Sequence, residues 1–256
     1  MNHAVCVFCG ATGATVKISN EHTFSNWIND VLSPTVVGPG LSCERVILHG
    51  PRAGTSNVWP VKKVASHTVG VVCKPCNESW MSTLDSQVRP LIEPMILGHN
   101  ASLTPAQQIT VATWASLKAA VFEYIWGEQP VMTAADRVVV MTQNRPPATV
   151  RVRLAALESR GRPLQALARG YVQAGSGDLA YCLTMSIGCL VAQVFGARGA
   201  GGHRFASLGR NGLDHVGIYS PHLGALRWPP PDALDDASLQ DFADPLHAAR
   251  RGAPSP

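Results

Sequence analysis

Apolar residues return along this chain with two periods, and the two periods divide it. After Asn77, the residues Trp80, Leu84, Val88 and Leu91-Ile92 recur at helical spacing, which predicts an amphipathic helix broken or kinked at Pro90 and Pro94. Thr104, Pro105 and Gln107 form a capping-box start with proline at the first helical position. The helix that follows passes through Trp114, Leu117 and Tyr124 to about Trp126, where Gly127 stops it. It is apolar on several sides, as the central helix of a core would be. From Val150 onward the pattern is that of strands, at Val150–Leu157, 164–173, 179–195 and 214–219, with a hairpin turn at Gly175-Ser176-Gly177-Asp178.

Upstream, Val16-Lys17-Ile18 and residues 64–72 read as strands, and Trp27–Leu32 as a short helix ending before Pro34. Residues 33–60 are rich in Gly, Pro and Ser with one strand-like piece at 45–48, and read as an insertion with little structure of its own. Residues 133–137 read as a turn leading into Val138-Val139-Val140, residues 196–202 as a glycine-rich loop, and 237–249 as a terminal helix. Trp228-Pro229-Pro230-Pro231 is expected to close the sheet, and residues 251–256 to be disordered. The fold class expected is α+β: a zinc-stapled ββα module over residues 1–98, then an α+β domain of helix and antiparallel sheet over 99–256.

Composition changes this picture little. A chain of 256 residues with 46% hydrophobic and 15% charged residues is globular and large enough for a real core. The net charge of +4 excludes a strongly basic coat, but nine arginines and no lysine fall between Arg145 and Arg210, opposed only by Glu158 and Asp178. Such a face attracts polyanions, or is simply solvated. The apolar run 179–195 contains Thr184, Ser186, Gly188 and Gln193, and reads as buried strand, not membrane span. Nothing at Met1-Asn2-His3 resembles a signal peptide, and the tight cysteine pairs argue against a disulfide framework, so a reducing cytoplasm is expected.

The chemistry concentrates in cysteines. Cys6 and Cys9 form one C-x2-C pair, Cys73 and Cys76 a second, and Asn77 follows the latter directly. Two such pairs supply the four thiolates of a closed, tetrahedral structural zinc site, although the long interval between them departs from a compact zinc ribbon. Lone Cys43 reads as a free thiol. Glu21-His22 lies between the pairs. Imidazole titrates ordinarily near neutral pH, which suits a general base.

Taken together, Cys6-x2-Cys9, Glu21-His22 and Cys73-x2-Cys76-Asn77 resemble the HNH, or His-Me finger, endonucleases, in particular the zinc-stapled recombination endonuclease VII branch. The resemblance covers residues 6 to about 95 and implies a metal-dependent endonuclease. By it, His22 is the catalytic base that deprotonates water, Glu21 and Asn77 ligate one Mg²⁺ or Mn²⁺ ion, and zinc on the four cysteines is structural. The implied partner is nucleic acid, DNA more than RNA, with a homodimer as a further option for the second segment. Glu stands where Asp is frequent in that family, no His follows Asn77 at the last ligand position, and Asn57 is a weak match for the middle asparagine. The reading from another class is a non-catalytic zinc-finger binding or adaptor protein that keeps the same scaffold.

Overall fold

The capping box at Thr104 forms as expected: Gln107 N donates to Thr104 Oγ1 at 3.3 Å and Thr104 N donates to Gln107 Oε1 at 2.8 Å. It starts the 18-residue helix Pro105–Phe122, around which the structure is built. The computed structural model describes residues 5–32, 41–47, 56–61, 68–126, 130–158, 164–172, 179–199, 216–218 and 224–243. In chain order these form β1 (Ile18–His22), α1 (Trp27–Leu32), β2 (Leu41–Ile47), β3 (Ser56–Val61) and β4 (Thr68–Cys73). An unbroken helical run follows, made of α2 (Lys74–Cys76), a π-turn (Asn77–Met81) and α3 (Ser82–Ile96). Then come β5 (Ala101–Leu103), α4 (Pro105–Phe122) with a 3₁₀ turn (Glu123–Trp126), and α5 (Ala134–Gln143). Strands β6 (Val150–Leu157), β7 (Leu164–Val172), β8 (Leu179–Ile187) and β9 (Leu190–Arg198) precede β10 (Val216–Gly217), β11 (Leu226–Trp228), β12 (Ala233–Leu234) and α6 (Asp236–Ala243). The class is α+β.

Strands β1 and β4 pair antiparallel, Ile18 opposite Cys73 and His22 opposite Thr68, and the chain leaves β4 straight into the helical run. The main sheet has the order β10-β6-β9-β8-β7-β2-β3, with β12 alongside β6. Along β9, Leu190, Ala192 and Val194 belong to the large core under α4, whereas Val191 joins a smaller cluster with Leu239 and Phe242 of α6. Both faces of these strands are covered, which explains why the run 179–195 is apolar without alternation.

Several elements differ from the expectations. The run 179–195 is two strands, turned at Gly188-Cys189; Gly188 has φ +57°, and a Cβ there would collide with the Ile96 carbonyl that accepts from Cys189 N at 2.9 Å. Residues 133–137 are a helix start, because Thr133 and Asp136 make a second capping box, and Val138-Val139-Val140 lie inside α5. Gly196 to Arg198 continue β9 and are not loop, with Gly196 packed where the Tyr181 ring leaves no room for a side chain. Of the break or kink expected at Pro90 and Pro94, the break does not occur, since both lie inside α3. The 33–60 insertion supplies β2 and β3, and β2 adds parallel to β7. Trp228 pairs with β5 in a separate small sheet, Trp228 opposite Ala101. The turn expected at residues 175–178, the loop residues 200–202, the side chains of Cys43 and Asn57, and residues 251–256 lie outside the described residues.

The segments on either side of residue 98 share one buried cluster running from Cys6 to Trp228. Phe24, just after β1, meets Phe122 of α4 edge-on at 5.3 Å. Arg137 of α5 donates to Val7 O at 2.7 Å. Among the described residues no helix is long and apolar enough to cross a membrane.

Burial pushes the Glu123 carboxyl up to about 8, against the lowering effect of the Met132 N–H, which it accepts at 3.2 and 3.3 Å. The fold therefore keeps this group protonated where the unfolded chain ionises it, and stability falls as pH rises from about 4.5 to about 8. Glu123→Gln is expected to remove that loss, which amounts to at most about 1.4 kcal/mol per pH unit. Urea unfolding of both proteins at pH 5 and pH 8 checks it: the variant should gain on the wild type at the higher pH, and an unchanged difference would refute it.

Candidate metal centre and its surroundings

A tight turn places the first two sulfurs. Cys6 N donates to Ala11 O and Gly10 N to Cys6 O, both at 2.9 Å, and Gly10 takes φ +71°. Val7 N donates to Val71 O at 3.0 Å and Lys74 N to Lys17 O at 2.8 Å, so the turn is tied to β4 and the helix start is tied to the approach to β1. Cys73 closes β4 and Cys76 ends the first helical turn, with Pro75 inside that turn where a missing N–H costs nothing.

The four sulfurs of Cys6, Cys9, Cys73 and Cys76 all lie within 4.8 Å of one another. Cys9 Sγ and Cys73 Sγ are 3.7 Å apart, and tetrahedral Zn–S bonds of about 2.3 Å require sulfurs about 3.8 Å apart. The donor set fits a structural zinc ion. All four are free thiols, three of them buried, and only Cys9 is exposed. Burial pushes the Cys73 and Cys76 thiols up, while the Cys6 thiol falls to about 7 because backbone N–H groups of Cys73, Cys9 and Phe8 outweigh its burial. Zinc binding must therefore expel protons from this cluster. Phe8 and Trp80 pack edge-on at 5.2 Å beside it.

The remaining candidate residues fall into two neighbourhoods. Asn77 Nδ2 donates to Ser19 Oγ at 3.0 Å, and Ser19 Oγ donates to Val72 O at 3.1 Å, so Asn77 joins the helix start to both strands of the hairpin. Glu21 is buried, at 5% exposure. Its Oε1 accepts from Lys118 Nζ of α4 at 2.9 Å. Lys118 Nζ also lies 3.8 Å from Asp85 Oδ2 and 3.4 Å from the His22 carbonyl. Asp85 Oδ1 in turn accepts from Ser25 Oγ at 2.5 Å and from Trp114 Nε1 at 2.8 Å. His22 ends β1 and is half-buried. Burial would lower the Lys118 pKa, yet Asp85 and Glu21 together raise it, so the ammonium stays charged. Breaking such a buried pair from one side costs about 3–5 kcal/mol, since it strands a charge.

Lys118 and Asp85 are not among the residues that the sequence singles out, and Trp114 is singled out only as an apolar position of the central helix. One signal is available: Lys118 is the lone charge between Val111 and Phe122, a stretch otherwise apolar but for Thr113 and Ser116, and a charge there needs a buried partner. Its partners, 97 and 33 positions away, have no sequence signal. Of the arginine-rich stretch, Arg153 is engaged inside the protein, stacked over Phe242 at 5.3 Å with Nε donating to Gln193 Oε1 at 3.0 Å.

A scan of protein-family models and searches of curated proteins and of solved structures found no match to this chain.

Purified chain is expected to carry one zinc ion, measurable by elemental analysis, and Cys73→Ser to lose it. Zinc binding to comparable sites contributes on the order of 10 kcal/mol to folding, so a strong chelator should lower the thermal unfolding midpoint sharply. A midpoint indifferent to chelation would remove the structural-zinc assignment.

Proposed function

We propose that the chain is a nuclease that hydrolyses phosphodiester bonds of nucleic acid, DNA in preference to RNA, with His22 as general base. The observation that carries the reading is the stapled hairpin: β1, which ends in His22, pairs with β4, and the four cysteines join that hairpin to the helix start bearing Asn77. In the proposed reaction His22 takes a proton from a water, the water oxygen bonds to phosphorus, and the bond to the 3′ oxygen breaks, leaving a 5′-phosphate; the 3′ oxygen takes a proton from solvent water and His22 releases its own to solvent. Zinc on the four cysteines acts as a staple and takes no part in the chemistry.

The HNH resemblance also implies a Mg²⁺ or Mn²⁺ ion on Glu21 and Asn77. These donors as placed do not fit it: Glu21 is paired with a buried ammonium, and Asn77 is hydrogen-bonded to Ser19. No step is assigned to that ion. The same pairing favours a second reading, a zinc-stapled nucleic-acid-binding or adaptor protein that does not cut. In either reading the second segment, with its arginines, holds the polyanion or builds a dimer, and a cytoplasmic setting suits the free thiols.

Zinc-loaded protein incubated with supercoiled plasmid and with structured RNA, each with Mg²⁺, Mn²⁺ or chelator of divalent ions other than the tightly bound zinc, separates the readings. Nicking of plasmid is expected, and His22→Ala should lower it at least about 100-fold with zinc content and unfolding midpoint unchanged. Binding of DNA without cleavage under every metal would establish the adaptor reading instead.

A further inference from the structure

Lys118 is the least exposed charged side chain of the described residues that faces a carboxylate, with 1% of its side chain open against 6% for Glu21. Its ammonium touches three groups from two other elements: the Glu21 carboxylate and the His22 carbonyl on β1, and the Asp85 carboxylate on α3. Asp85 is held in turn by Ser25 and by the Trp114 indole, one helical turn before Lys118 on α4. Both carboxylates of this group, Glu21 and Asp85, thus face a cation that the chain itself supplies. A divalent ion on Glu21 would have to sit beside a buried ammonium, and like charges in a medium of low dielectric repel strongly. Nothing at Asn77 offsets this, since a neutral amide brings no negative charge.

We infer that Lys118 is the resident cation of the Glu21–Asp85 pair, occupying at Glu21 the charge position that a metal ion would otherwise hold. The ammonium fixes β1 twice, by the Glu21 side chain and by the His22 main chain, and it does so from α4, beyond the cysteine-stapled hairpin. Lys118 is accordingly a positioning residue for β1, and Glu21 is a partner of Lys118 and not a metal ligand. Asp85 keeps 26% of its side chain exposed, so the pair has a way out to solvent if the ammonium is removed.

The inference concerns a residue that the HNH resemblance behind the nuclease reading would make a ligand, but its test reads metal binding and unfolding, so absence of cleavage would sink that reading and leave this one standing. Zinc-loaded wild type, Glu21→Gln, Lys118→Met and the double variant are titrated with Mn²⁺, followed by electron paramagnetic resonance, and unfolded in urea. Mn²⁺ affinity of wild type, whether weak or absent, should change less than twofold in Glu21→Gln. Lys118→Met should bind Mn²⁺ at least tenfold more tightly than wild type, at a site that the double variant lacks. The double variant should also be more stable than Lys118→Met, because no carboxylate at position 21 is left without its cation. A tenfold loss of Mn²⁺ affinity in Glu21→Gln would overturn the inference, since Glu21 would then ligate with Lys118 in place. Should Lys118→Met fail to fold, the wild-type and Glu21→Gln titrations decide alone, and the double variant folding where the single does not counts in favour.

Discussion

Four sulfurs from opposite ends of the first seventy-six residues lie close enough to share one ion, and the surrounding geometry depends on that junction. Without it, the Cys6–Gly10 turn is held to β4 by the backbone hydrogen bond from Val7 N to Val71 O, and β1 and β4 form only a two-stranded ribbon. Isolated ribbons of this size are marginal in water. The four clustered cysteines bring the turn, the end of β4 and the first helical turn to one point, so the position of Asn77 follows from that of Cys76, its neighbour in the chain.

A second fastening comes from α4. The helix is buried along nearly its whole length, and its one charge, Lys118, reaches the strand that ends in His22. The Phe24–Phe122 contact and the Arg137 bond to the Val7 carbonyl work in the same direction. The hairpin is therefore seated on the rest of the protein, and not only on its own cysteine cluster. Buried ion pairs add little net stability compared with apolar packing, but they penalise any arrangement that separates the partners. Here that penalty fixes β1 against α4.

What could be read from the sequence was local. The cysteine pairs, the Thr104 capping box and the short helix Trp27–Leu32 are each encoded within a few residues, and each is found where expected. Thr133-x-x-Asp136 carries the same kind of signal as Thr104, but residues 133–137 read as a turn before the β-branched run Val138-Val139-Val140, whose helix propensity is low; packing of α5 against α4 overrides that propensity. The 33–60 insertion has little local signal because β2 and β3, which pair with each other, join the sheet only through β2 against β7, far along the chain. The Glu21–Lys118–Asp85 group was invisible for the same reason: a dipeptide Glu21-His22 does not announce that its acid is already paired.

The central claim is that the four cysteines bind one metal ion in a tetrahedral thiolate site. The most direct measurement is the visible spectrum of the chain titrated with Co²⁺ after zinc is removed under reducing conditions. Intense tetrahedral thiolate bands that saturate at one ion per chain, and that vanish when zinc is returned, are the predicted result. Weak octahedral bands, or no saturation at one equivalent, would contradict it.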